Sequence, residues 1–529
     1  MARFPNFKTT KKSKSTPVPV TSDDNLHCGT IEEDSGDRWS SSGDLVKALR
    51  FYNRALEYYS TAQRLIPSNN TLPTTTASNS NSRALFDSQY NIARSYFSIW
   101  QQLIETGNWQ ESATTIELMQ QLGFNVPTLR EGDQDIMNTD SIWAMIIEAY
   151  ERALEYGSVD LHPVGQAPRT WDLLVNYGYV MSSVCEESME DCLDSDNSDD
   201  ARIKSLAKIS QAGELACEVL VKAHQQECIE MDTLGDFSRA LEPETMEETD
   251  VSQISAKTNA EEGENFARAE ESATAVSAVE TLVAHLRVIN IMFTVSGLAT
   301  ISEPSESTKL GLQNFVQRGD TIVRTLQSKW FDQLPLGERE DPYHYNSNCK
   351  LDAIIAITQW QSQKIKVETI HASPNIVNIP NGHMEVLNKV KNLWDTTAVD
   401  IPPTSHNLWY MAAADSLIDV PPSSTNWSSY TQADAMSSKA QKATPAKDQV
   451  TLARIMVARA EVFKSQINLG GLNADLEALV VRFRPASVAN VRAYANAVLG
   501  MSFLSGSVAE AKRAKREANE LVQWTNASL

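Results

Sequence analysis

Long apolar runs are missing from this sequence. Nowhere do about eighteen apolar residues follow one another, as a membrane span needs, and the N-terminus lacks the apolar core of a secretory leader. A soluble, cytoplasmic protein is expected. Cysteine is scarce too: Cys28, Cys185, Cys192, Cys217, Cys228 and Cys349 are scattered with no CxxC pair, the usage of a reducing compartment rather than of a disulfide framework. The Asn-x-Ser/Thr triplets at Asn69, Asn426 and Asn526 then carry no meaning for glycosylation.

Basic charge is in short supply. Lys and Arg number 46 against 68 Asp and Glu, a net charge of −22. A body this acidic repels nucleic acid and attracts basic partners, whose approach its field accelerates. The motifs that constrain chemistry are absent as well: no phosphate-cradling GxxxxGK[ST], no GxGxxG, no GxSxG elbow and no HExxH pair. The 8 histidines are dispersed. Acid pairs are plentiful, but they become a general acid and base only where a pocket separates their pKa values. No catalytic residue, cofactor or metal is therefore expected.

Three constellations come nearest to a ligand site. Asp194, Asp196 and Ser198, within the acidic loop 186–200, have the alternate spacing of an EF-hand, yet Asp199 stands where the turn needs glycine and Ser205 where a bidentate glutamate belongs. Cys217, His224 and Cys228 share one helix face and could hold zinc, but no fourth ligand follows at matching spacing. The basic cluster Lys512, Arg513, Lys515 and Arg516 reads as a solvated helix face.

What the chain has is amphipathic helix. In GDLVKALRFYNRALEYYSTAQRLIP, residues 43 to 67, Leu45, Ala48, Leu49, Tyr52, Ala55, Leu56 and Tyr59 recur at spacings of three and four and form one apolar stripe. Gly43 and Asp44 suit a turn into a capped helix start, and Pro67 closes it. After a Ser/Thr/Asn-rich loop at 68–82, LFDSQYNIARSYFSIW, residues 85 to 100, repeats the pattern.

The first stretch resembles the second helix of a tetratricopeptide repeat, with a Gly-Asp turn, small residues at Ala48 and Ala55, and an aromatic at Tyr52 between them. The second stretch, with Tyr90, Asn91, Ile92, Ala93 and Tyr96, resembles the first helix of the next repeat. Pro67 and the Gly107-Asn108 turn both come about two turns late, which implies elongated repeats. Ala48, Tyr52, Ala55, Ile92, Ala93 and Tyr96 are the packing positions that this resemblance implies. It also implies a groove lined by Asp87, Asn91, Arg94 and Ser98. Repeats that clamp the carboxylate tail of heat-shock chaperones use Lys, Asn, Asn, Lys and Arg there; here Asn91 matches, but Glu33 and Asp37 stand where a lysine and an asparagine would be. A basic peptide or protein is the partner these residues suit.

The rest of the chain reads as helix. Residues 1–36 are expected to be a disordered basic tail, with Arg3, Lys8, Lys11, Lys12 and Lys14, and the segment before Gly43 is poor in helix formers. The tail is either simply solvated or a weak nuclear-import arm, so a nuclear location stays open. Helices are expected at 109–122, 141–156, 171–188 and 203–231, with no strand-like alternation between them. An acidic linker at 241–260 divides the helical repeat region 37–240 from a second one, 261–529. In that second region helices are expected at 261–298, 310–331, 351–366, 384–394, 407–418, 450–468 and 472–483, and a final pair at 487–504 and 508–524. The fold class is thus all-α, a tetratricopeptide-like α-solenoid of antiparallel helix pairs. Its expected function is a non-catalytic scaffold for protein binding, with a dedicated chaperone for a basic client as the alternative.

Overall fold

A computed structural model describes residues 19–41, 44–66, 77–106, 120, 128–131, 134–137, 139–157, 170–193, 199–240, 273–299, 306–331, 349–372, 382–401, 405–418, 427–445, 448–468, 474–501 and 508–528. Among these the fold is all-α, with fifteen α-helices and one short hairpin. The expected N-terminal tail needs correcting first, because residues 22 to 36 belong to a helix, α1 (Ser22–Ser41). Its start is a reciprocal box in which the Thr21 N–H donates to Asp24 Oδ2 (3.0 Å) and the Asp24 N–H donates to Thr21 Oγ1 (3.0 Å). Hydrogen bonds to the carboxyl from the Thr21 N–H and the Thr21 hydroxyl, with a third from the Val20 N–H, hold Asp24 below its usual range. Packing overrides the weak propensity of the rest, since Gly29 and Gly36 lie directly under the rings of Tyr59 and Tyr52. Those rings belong to α2 (Leu45–Leu65), so the first helix pair is complete and antiparallel. The basic cluster at residues 11 to 14 lies outside the described residues.

The apolar stripe of α2 is buried as its spacing requires, with Ala48, Leu49, Tyr52, Ala55, Leu56, Tyr59 and Ala62 all inside. At its N-terminus the Lys47 N–H donates to Asp44 Oδ1 at 3.2 Å, the capping bond the sequence leads one to expect. The next helix, α3 (Ala77–Thr106), starts earlier than expected and takes in the last part of the 68–82 loop. Two strands then form an antiparallel hairpin, β1 (Thr128–Glu131) with β2 (Gln134–Met137), Leu129 facing Ile136. No strand was expected here, although Gly132-Asp133 between the two segments is a two-residue hairpin signal. The helix expected at 109–122 lies outside the described residues, save for residue 120.

Four helices follow: α4 (Thr139–Tyr156), α5 (Trp171–Leu193), α6 (Asp199–Ala240) and α7 (Ala275–Ala299). The acidic loop 186–200 is corrected in part, because its first eight residues complete α5 and its last two open α6. Asp199 and Asp200 suit that place, since carboxylates are favoured at the positive end of a helix dipole. The linker 241–260 lies outside the described residues, and the helical regions expected on either side of it are in contact. Helices α6 and α7 pack on each other, and one hydrophobic cluster runs without a break from Leu26 to Val367. At its centre α7 touches α5, α6 and the two helices that follow it. The stretch Ala275–Ser296 is long and apolar enough to cross a membrane by composition, yet 78% of it is buried inside the protein.

Beyond α7, α8 (Glu306–Thr325) runs into one π-helical turn, Leu326–Trp330, closed by the Phe331 N–H donating to Leu326 O. Then come α9 (Cys349–Ala372), α10 (Gly382–Thr397), α11 (His406–Ile418), α12 (Trp427–Ala443), α13 (Gln449–Asn468), α14 (Ala474–Gly500) and α15 (Val508–Ser528). Helix α12 was not expected. It buries only small or unbranched residues on its inner stripe, Ala433, Met436 and Ala440, so its apolar signal is faint. Helix α14 joins two expected helices across Pro485, which is exposed, so the kink-prone residue faces solvent instead of the core. Two smaller clusters form the rest of the interior, one from α9 to α13 and one from α13 to α15. Helices adjacent in sequence pack side by side along the chain, the order of a helical solenoid, and α15 also touches α1 and α3.

Candidate functional site

Helix α3 was expected to present a groove, but it is a central element. It touches α1, α2, α4, α5 and α15, and from Arg83 to Trp100 no residue is fully exposed. The packing positions are inside: Ala48, Ala55 and Ala93 are wholly buried, Tyr52 and Ile92 nearly so, and Tyr96 is half-buried.

The four groove positions are all half-buried, and two are occupied by their own chain. Arg94 forks onto the buried Glu33 carboxylate of α1, Nε to Oε1 at 3.0 Å and an η-nitrogen to Oε2 at 2.8 Å. Asp87 takes an ion pair from Arg83 one turn earlier, at 3.0 Å. Asn91 and Ser98 are half-buried on the same helix. The structure therefore does not assemble Asp87, Asn91, Arg94 and Ser98 into an open ligand face.

Instead it shows a ladder of tyrosines and carboxylates between helices. The Tyr59 hydroxyl donates to Glu33 at 2.6 Å and the Tyr52 hydroxyl to Asp37 at 2.5 Å. Tyr90 donates to Asp172 of α5, and Asn176 donates to the Tyr90 oxygen at 2.7 Å. Farther along, Tyr177 reaches Glu151 at 3.4 Å, and its ring stacks on Tyr150 at 5.5 Å. Burial, with nearby carboxylates adding to it, lifts the Tyr59 and Tyr90 hydroxyls far above the ordinary phenol range, so they act as donors at any physiological pH. Burial works against the Arg94 charge, and the Glu33 carboxylate outweighs it, holding the guanidinium well above its usual value. These are ties between helices.

Glu33 and Asp37 bear on the carboxylate-clamp question directly. They stand on the first helix of the first pair, where a clamp would need cationic and amide donors, and both already accept hydrogen bonds from their own chain. Sequence reading missed Tyr59, Asp172 and Asn176 as members of this network. The signal for Tyr59 was available: Gly29 and Gly36 are seven apart, as are Tyr52 and Tyr59, which is the repeat of two facing helices.

Elsewhere, Cys217, His224 and Cys228 all lie on α6, and among the described residues no three His, Cys, Asp or Glu side chains converge to hold a metal. Burial pushes the thiols of Cys185 and Cys349 up to about 12 and that of Cys217 up to about 11, as in packed, inert cysteines. The three EF-hand-like oxygens, Asp194, Asp196 and Ser198, lie outside the described residues. On α15 Ala518 is buried, and Lys515 and Arg516 are half-buried, with Arg516 paired to Glu520 at 3.6 Å.

No protein-family model matches the sequence, and no curated protein matches it. A solved structure described as a "circular tandem repeat protein with novel repeat topology and enhanced subunit contact surfaces" aligns over 96% of this chain and 95% of its own, at 12% identity and a TM-score of 0.17. The fold is defined by its own contacts.

Proposed function

We propose that this protein is a non-catalytic scaffold whose tetratricopeptide-like helical surface binds a basic protein or peptide segment. The observation that carries the reading is the acid excess of 22 charges on a helical body. Exposed carboxylates stand on several outer faces, among them Glu57 on α2, Glu148 and Glu155 on α4, and Glu214 and Glu218 on α6. Fields of this kind raise association rates with cationic partners and weaken as salt screens them. The buried Ala48, Tyr52 and Ala55 of α2, behind the Asp44 cap, support the tetratricopeptide-like part of the reading. Because Arg94 and Asp87 are engaged internally, the partner surface is sought on outer helix faces and not along α3. The cytoplasm is the proposed location, with the nucleus as the alternative if the basic residues 11 to 14 act in import.

The same charge also favours a narrower reading, a chaperone that shields one basic client before assembly, such as a ribosomal or nucleic-acid-binding protein. Affinity purification with and without cross-linking, at low and high salt, tests both. A basic partner lost as salt rises supports the proposal, and retention of only newly made client selects the chaperone. Partners that are acidic, or binding indifferent to salt, would overturn it.

A further inference from the structure

Cys228 differs from the other described cysteines in its neighbours. It is half-buried on α6, and the Lys329 ammonium donates to its sulfur at 3.4 Å from the π-helical turn that ends α8. His224 stands one turn earlier on α6, with Nε2 3.6 Å from the same sulfur. The other imidazole nitrogen, Nδ1, faces Glu227 Oε2 at 3.7 Å. Glu227 is wholly buried. Its Oε1 accepts from the Thr281 hydroxyl at 3.2 Å, while Oε2 and His224 Nδ1 both lack a hydrogen-bond partner. Trp330 from the π-helical turn packs edge-on to the His224 ring, 6.0 Å between centroids.

A buried carboxylate oxygen left without a donor is a costly arrangement. In the exchange itself, as the Cys228 proton passes to His224 Nε2, the imidazolium so formed faces the Glu227 carboxylate through Nδ1, and the sulfur faces the Lys329 ammonium. Thiolates held beside a cation and an imidazole are the nucleophilic ones, whereas packed cysteines are inert. The contrast within this molecule is Cys28, also half-buried, whose thiol is raised by burial and by the neighbouring Asp24 and Glu32 carboxylates. Cys228 is not fully buried, and the Lys329 beside it is exposed.

We propose that Cys228 is a reactive thiol and a site of reversible modification by low-molecular-weight disulfides of the glutathione class. The sulfur of Cys228 attacks one sulfur of the small disulfide, whose S–S bond breaks as the new one forms. The departing half leaves as a thiolate and takes up the proton held on His224. One disulfide is exchanged for another, Cys228 being oxidised and the leaving thiol reduced, with no further oxidant.

The test incubates the full chain with oxidised glutathione near neutral pH and follows each cysteine by peptide mass. Cys228 is expected to form the mixed disulfide about tenfold or more faster than Cys28. Lys329→Met and His224→Gln should each remove most of that advantage and leave the Cys28 rate unchanged, while Lys329→Arg should keep it. Equal rates at the two cysteines in the unaltered protein would overturn the proposal without recourse to any variant. So would a Cys228 rate that neither Lys329→Met nor His224→Gln alters.

Discussion

Gly29 meets the ring of Tyr59 so closely that a methyl group on its α-carbon would stand 2.3 Å from Cε1 and 2.6 Å from Cδ1. No side chain fits there unless the ring moves, and the ring is held at its far end by Glu33. Gly29→Ala should therefore destabilise the protein by about 1 to 3 kcal/mol through overpacking, despite alanine's better helix propensity. Gly311 in α8 has nothing within 4 Å of the same position. There Gly311→Ala should stabilise by roughly 0.5 to 1 kcal/mol. Urea unfolding of the two variants gives opposite signs if the packing is as described.

Removing Arg94 should be worse than removing a surface ion pair. Arg94→Ala leaves the buried Glu33 carboxylate with only the Tyr59 hydroxyl among these partners, and breaking a buried pair from one side costs about 3 to 5 kcal/mol. The double variant Glu33→Gln, Arg94→Ala should recover part of the loss. A double-mutant cycle in denaturant with no coupling would show that the fork does not exist in solution.

Tyr52→Ala should cost on the order of 3 to 5 kcal/mol, because a large ring leaves the core between α1 and α2. A measured change below about 0.5 kcal/mol would place Tyr52 on the surface.

Acid should weaken the fold through His285. Burial, with Arg318 and His224 adding to it, lowers the His285 imidazole from 6.5 to about 4. Between those values the unfolded chain binds the proton and the folded one does not, so stability is full above 6.5 and is lost as pH falls toward 4. The difference corresponds to about 3 kcal/mol. Thermal melts across that interval should show His285→Gln flatter than the unaltered protein. Parallel curves would mean that the ring is solvated.

A fluorescent peptide with the acidic C-terminal tail of heat-shock chaperones should not bind. Glu33 and Asp37 place negative charge where such a clamp needs donors, and Asn91 alone cannot replace them. Micromolar binding, about −8 kcal/mol, that disappears in Asn91→Ala would contradict this.

Local periodicity made the central helices legible, because Leu49, Tyr52, Leu56 and Tyr59 share a face whatever the rest of the chain does. Helix α1 was hidden by its composition, although the Thr21-to-Asp24 box was there to be read. The helices expected at 472–483 and 487–504 are one, since nothing local says which way the intervening Pro485 faces. The polar network was the least legible part. Arg94 looks like a groove residue until its partner is known, and Glu33 lies 61 residues away. Cys228 and Lys329 are 101 residues apart, and the π-helical turn that brings them together leaves no mark in hydropathy.

The contact of α15 with α1 and α3 has a consequence in time. An open row of helices can form from its first repeat onward as it is made, each unit needing only its neighbour. Here part of the surface of α1 and α3 is reserved for a helix made much later, α15. At ribosomal rates of about 5 to 20 residues per second, α1 and α3 wait roughly 20 to 100 seconds for α15. Until then the nascent chain carries an uncovered seam that the finished protein does not have.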